Sequence, residues 1–274
     1  MKKYCYCPDR FAHLQRKVMP YISKAKCIKD YWRFLLFVLI GGLIGGYCTG
    51  IYSYDTLPED LLLLLREQNV TREIVAISSM IQYGILFGVV LAAFGIVFSE
   101  KVCLWKAFRP EKKAVLITSI ITLIAALCLF PGDQLIFGSL NAWVRDQYRM
   151  PPTVWKILAG LLVGGIIEEV MMRLFFMSLC IFILSRIFYK NENEIPIRIY
   201  VIANILAAIL FAAGHIPSTM TMTALTPVIL FRCFLFNGGL GLGFGYLYRK
   251  YGIGYAMIAH GFAHLIADIL MIIL

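Results

Sequence analysis

The chain has 274 residues, of which 60% are hydrophobic and 15% charged, with a formal net charge of +10 and a mean hydropathy of +0.78. A soluble domain of this length needs a more polar surface than such a composition supplies. Alternating short segments of the barrel kind are absent, so the sequence reads as an all-α, polytopic transmembrane helical bundle of about seven spans.

Residues 1–33 carry nine Lys and Arg against Asp9 and Asp30. The segment is too long and polar for a signal-peptide n-region. Phe11, Leu14, Val18 and Ile22 are spaced as on an amphipathic helix, which makes 1–33 a basic cytoplasmic arm suited to anionic lipids. A solvated basic tail fits the charge pattern as well. No nucleic-acid module accompanies the charge, so nucleic acid is not an expected partner. Cys5, Cys7 and Cys27 match no common zinc spacing. Cys48, Cys128, Cys180 and Cys233 lie in apolar runs, as packing residues do.

The integral membrane domain is expected over 34–274. Its spans are read at about 34–54, 74–98, 114–131, 154–188, 197–215, 225–248 and 253–274. The fourth is too long for one untilted crossing. Residues 54–73 hold five acids and two bases, whereas 99–113 hold five bases and two acids. That asymmetry predicts a cytoplasmic N-terminus in a bacterial cytoplasmic membrane. "GGLIGG" (41–46) and "NGGLGLGFGYLY" (237–248) read as close-packing surfaces rather than phosphate loops, since no Walker lysine follows.

Three spans keep ionisable groups inside apolar runs, where each costs at least about 2.5 kcal/mol. Span four has "GGIIEEVMMRLFF" (164–176): Glu169 and Arg173 share a helix face four residues apart, and Glu168 points about 100° away from Glu169. Span five ends in "FAAGHIP", with His215 beside a proline. Span seven carries "AHGFAHLIAD", which puts His260, His264 and Asp268 on one stripe. Glu169–Arg173 could be a neutralising pair and His260 a hydrogen-bonded bundle residue. Asp268 leans to a structural role, and Arg232 in span six reads as a snorkelling side chain. Glu168 lacks any local partner. A buried carboxylate can take a proton from water while imidazoles hold that water or donate to an oxyanion. The same donors, Glu168, His215, His260 and His264, are also a credible zinc set.

"EEVMMR" (168–173) fits EExxxR, "FAAGH" (211–215) fits FxxxH, and the C-terminal "GLGFGYLYRKYGIGYAMIAHGFAHLIAD" is similar to a region ending in HxxxN or HxxxD. Together they resemble the CAAX-processing and bacteriocin-processing (CPBP, or Abi) intramembrane endopeptidases over about 150–270. The resemblance implies cleavage of a membrane-embedded or membrane-associated peptide or protein. Glu168 would activate water, and His215 and His260 would position it and stabilise the oxyanion. Glu169, Arg173 and Phe211 would support them. His264 stands where the family carries Asn or Asp, and its imidazole can donate and accept as an amide does. Members of the family have been described both as metalloproteases and as metal-free glutamate proteases. A non-catalytic partner, such as an immunity or sensor-modulating protein, could use the same fold. A metal or ion transporter would be expected to show an inverted repeat, and none is visible.

Counting about 1.5 Å per residue, His215 falls near the outer end of span five and His260 nearer the inner end of span seven. A shared site therefore requires strongly tilted helices, which the length of span four favours, or else a different span boundary or orientation.

Overall fold

The computed structural model describes residues 31–190 and 194–274. The expected arm at 1–33 lies almost wholly outside the described residues. Seven helices are long and apolar enough to cross a membrane: α1 Trp32–Asp55, α2 Arg72–Lys101, α3 Lys112–Leu140, α4 Val154–Phe188, α5 Ile197–Met222, α6 Pro227–Tyr251 and α7 Ile253–Ile273. Short helices Glu59–Glu67 and Ala142–Asp146 connect some of them, and no strand occurs among the described residues. The protein is an integral membrane protein of all-α architecture.

Small residues govern how closely the helices meet. On α1, a Cβ built at Gly42 would lie 2.5 Å from the Tyr83 carbonyl oxygen and 2.8 Å from Gly84 Cα of α2. On α4, a Cβ at Gly165 would lie 2.7 Å from Gly261 Cα of α7. Backbones touch at both crossings, as expected where lipid supplies no hydrophobic drive and dispersion must hold the helices. α6 uses its glycine run against α5: a Cβ at Gly241 would meet Ala208 Cα at 3.8 Å, with the Arg173 guanidinium nearer still at 2.8 Å. Outward faces carry exposed Ile, Leu and Phe, among them Ile120, Ile205 and Phe262, as a bilayer requires.

The α6–α7 turn is fixed by Gly252, whose φ of 104° suits only glycine. Lys106, in the α2–α3 connection, donates from Nζ to the carbonyls of Arg249 (2.7 Å) and Lys250 (2.8 Å) at the end of α6. A cation there satisfies terminal carbonyls and opposes the negative end of the helix dipole.

Two expectations are corrected. Span three does not stop at 131: the helix continues through Pro131 to Leu140, because the proline sits in a π-helical turn, Cys128–Gly132. Wider turns leave room for a ring that a regular α-helix would reject. Asp133 is thereby carried inside the span, at 1% exposure. Arg232 accordingly does not snorkel. It grips Asp133 through Nε at 2.7 Å and Nη2 at 2.5 Å, with Trp143 and Phe236 rings 5.9 Å and 5.8 Å from its guanidinium carbon. Tyr148 completes the knot by donating to Asp133 at 2.5 Å. Cys48 and Cys233 are buried free thiols, and Cys128 and Cys180 are half-buried, in keeping with packing roles.

Candidate active site

α4 supplies the carboxylates. Its segments Gly160–Glu168 and Val170–Met177 are π-helical, a form that recurs at functional sites. Glu168 and Glu169 leave the helix on different sides, as adjacent residues must. Glu169 turns into the core and is fully buried. Glu168 stays reachable, with its side chain 24% exposed.

Glu169 is held by opposite charge and by hydrogen bonding. Arg173 Nη1 stands 3.0 Å from its Oε1, an ion-pair distance without hydrogen-bond alignment, since that nitrogen and Glu169 Oε2 have no hydrogen-bond partner. His260 Nδ1 lies 2.8 Å from the same Oε1. Arg173 also donates from Nη2 to the Gly241 carbonyl at 3.0 Å. Its guanidinium carbon is 4.9 Å from the Phe211 ring and 5.6 Å from the Phe244 ring. An unpaired buried guanidinium would be costly; here charge, carbonyl and two π-faces all compensate it.

These partners orient the histidines. His260 is stacked on Phe244, centroids 4.6 Å apart at 17°, with Phe211 edge-on at 5.9 Å. Its Nδ1 donates to Glu169, so in the neutral ring Nε2 is a bare acceptor. His215 sits at a break within α5. Its Nδ1 lies 2.7 Å from the Phe211 carbonyl, which can only accept, so again Nε2 is the free acceptor. Both free nitrogens turn to Glu168: His215 Nε2 is 3.9 Å from Oε1 and His260 Nε2 is 3.8 Å from Oε2. The site thus brings Glu168, His215 and His260 together.

His264 joins them. A Cβ at Gly164 would lie 3.2 Å from His264 Nε2 and 3.7 Å from His260 Nε2, so both imidazole nitrogens surround one point a turn from Glu168. The two rings are 5.1 Å apart. Glu169, Arg173 and Phe211 stand behind this group. Asp268 is buried and paired with Lys156 Nζ at 3.0 Å. The expected end of span five is corrected: α5 does not stop at 215 but continues to Met222, so His215 lies inside the span, and Phe211 of the same helix reaches α7 at His260, ring centroids 5.9 Å apart.

Sequence reading missed Phe244, Gly164, Lys156 and Asp133. Phe244 is one of several aromatics in its helix, and nothing local marks it as the plate beneath His260. Gly164 and Lys156 carried a usable signal: with Gly160 and Glu168 they recur every four residues on α4, matching the His260, His264 and Asp268 stripe.

No group of three or more His, Cys, Asp or Glu among the described residues is arranged to hold a metal ion. The donor types would suit zinc, but Glu168, His215, His260 and His264 are not arranged as a ligand cage.

Residues 150–266 match a family model described as type II CAAX prenyl endopeptidase Rce1-like. The match begins just before α4, ends within α7 and encloses every residue of the candidate site, while α1 to α3 lie outside it. It bears out the resemblance carried by the three motifs. No curated protein and no solved structure matches the chain.

Proposed function

On the premise that residues 150–266 belong with the CAAX-processing endopeptidases, we propose that the protein is an intramembrane endopeptidase in which Glu168 activates the hydrolytic water. The observation that carries this reading is three acceptors facing one another. His215 Nε2 stands 3.9 Å from one oxygen of Glu168 and His260 Nε2 3.8 Å from the other, too far for a direct hydrogen bond. Lone pairs so placed repel unless a donor lies between them. Water fits, because it can donate two hydrogens to this group at about 2.8 Å each.

In the reaction, Glu168 accepts a proton as the water oxygen attacks the scissile carbonyl carbon. As the C–N bond breaks, that proton passes from Glu168 to the departing amine, directly or through an imidazole Nε2, which while it carries the proton donates to the oxyanion. Glu169, braced by Arg173, keeps His260 in the tautomer that leaves Nε2 free, and the Phe211 carbonyl does so for His215. His264 takes the place of the family's amide residue and donates or accepts on the side of Gly164. The substrate would be a membrane-associated peptide or protein, with the basic segment 1–33 resting on anionic lipid. The N-terminus would be cytoplasmic and the membrane bacterial.

Glu168→Gln tests this directly. It should reduce cleavage of a prenylated CAAX reporter peptide about 10²–10⁴-fold with an unchanged thermal midpoint. If the variant cleaves like wild type, Glu168 is not the base. Comparing membrane-peptide profiles of cells expressing either form would extend the test to native substrates. Turnover that collapses with chelator and returns with zinc would replace the metal-free reading by a metal-assisted one.

A further inference from the structure

The site is dry on one side. Beyond His260, towards the Arg249 end of the bundle, lie Phe244, Tyr248, Leu247 and Ile253, all buried. Tyr248 there is satisfied by Ser178 at 2.7 Å. Each hydrolysis consumes one water, and these apolar side chains offer it nothing to hold, although Glu168 and His215 keep 24% and 33% of their side chains exposed.

The opposite direction is polar. Along α4, Glu168, Gly164, Gly160 and Lys156 form one stripe at four-residue steps. Along antiparallel α7, His260, His264 and Asp268 form another. They meet rung by rung: Glu168 with His260, the two glycines with His264, and Lys156 with Asp268. Cβ atoms built at Gly160 and Gly164 would come within 3.0 Å and 3.1 Å of the His264 side chain, so glycine alone lets that imidazole lie in the α4–α7 seam. Neither ring nitrogen of His264 hydrogen-bonds to protein among the described residues. Lys156 is one-third exposed and Asp268 8% exposed, so the pair runs from surface to interior. Charged side chains at such a depth draw water with them.

We propose that the row Lys156–Asp268–His264 is the route by which water reaches Glu168, and that the Lys156–Asp268 ion pair keeps its mouth hydrated. The proposal extends the reading of Glu168 as the base by assigning Lys156 and Asp268 a role outside the chemistry itself.

The test is thiol accessibility. In a chain whose eight native cysteines are replaced, His264→Cys is reconstituted in bilayer vesicles and exposed to a small membrane-impermeant thiol reagent from one face at a time. Gln147→Cys marks the Lys156 face and Lys113→Cys the other. The thiol at 264 should react from the Lys156 face, and adding Lys156→Met with Asp268→Leu should slow that reaction at least tenfold. No reaction, reaction only from the Arg249 face, or an unchanged rate in the double variant overturns the proposal. Should His264→Cys not fold, radiolytic hydroxyl-radical footprinting of the native chain replaces it. His264 oxidation should then fall in the Lys156→Met/Asp268→Leu form, and an equal rate in both overturns the idea. Labelling needs no turnover. Loss of the route with an inactive Glu168→Gln variant leaves the proposed chemistry standing, while an active Glu168→Gln variant removes the chemistry and leaves the route.

Discussion

Arg173 is 1% exposed, and its loss would strand Glu169 in an apolar interior. Arg173→Met should therefore destabilise by about 3–5 kcal/mol, read as a lowered thermal midpoint. Combining it with Glu169→Leu removes both charges and should recover most of that stability, because a buried pair replaced by apolar groups is often neutral. Activity should stay lost in the combined variant, since His260 no longer has its Nδ1 acceptor. A stable and fully active double variant would show that the Glu169 contact does not orient His260. At this scale the sequence pointed to the ionisable residues that the fold brings together, because such a group in an apolar run is costly enough to be conspicuous. It was silent on Phe244, whose contribution is a stacking geometry that a single aromatic letter does not encode.

Among the helices, the α4–α7 crossing sets the spacing on which the site depends. Gly165 and Gly261 touch there, so Gly165→Ala should overpack the contact, costing about 1–3 kcal/mol and drawing His260 away from Glu168. Gly243→Ala is the control. A Cβ there meets only Ile121 Cγ2, at 3.4 Å, and the change should be neutral for turnover and midpoint. Equal effects of the two would argue against a spacing role. The existence of seven helices was legible from apolar run length, whereas the end of α5 at Met222 was not, because "HIP" reads as a stop. The true end of α3 was hidden, because Pro131–Gly132 reads as a stop signal unless the turn is already known to be π-helical. Asp133 was hidden with it. Its partner Arg232 lies 99 positions away, beyond the reach of any local pattern.

Across the molecule, the match and the candidate site share one boundary: α4 to α7 carry the site, and α1 to α3 lie outside the matched residues. The Asp133–Arg232–Tyr148 knot ties the two parts together. Tyr148 lies between the spans, and burial, then the Asp133 charge, raise its phenol above the usual tyrosine value. A raised folded pKa means that its contribution is complete below the unfolded value near 10 and is lost as pH rises beyond it. Wild type should accordingly lose midpoint above about pH 10 more steeply than Tyr148→Phe, which starts lower by about 1.5–3 kcal/mol for a hydrogen bond to a charged acceptor. Parallel pH curves would remove Tyr148 from the tie.

The glycine face of α1 has a practical consequence for purification. Gly42, Gly46 and Gly50 each bring a would-be Cβ within 2.6 Å of α2 backbone atoms, so there is no room for a surfactant tail to wedge between these helices. Extraction into micelles should leave α1 and α2 attached over a wide range of alkyl-chain lengths.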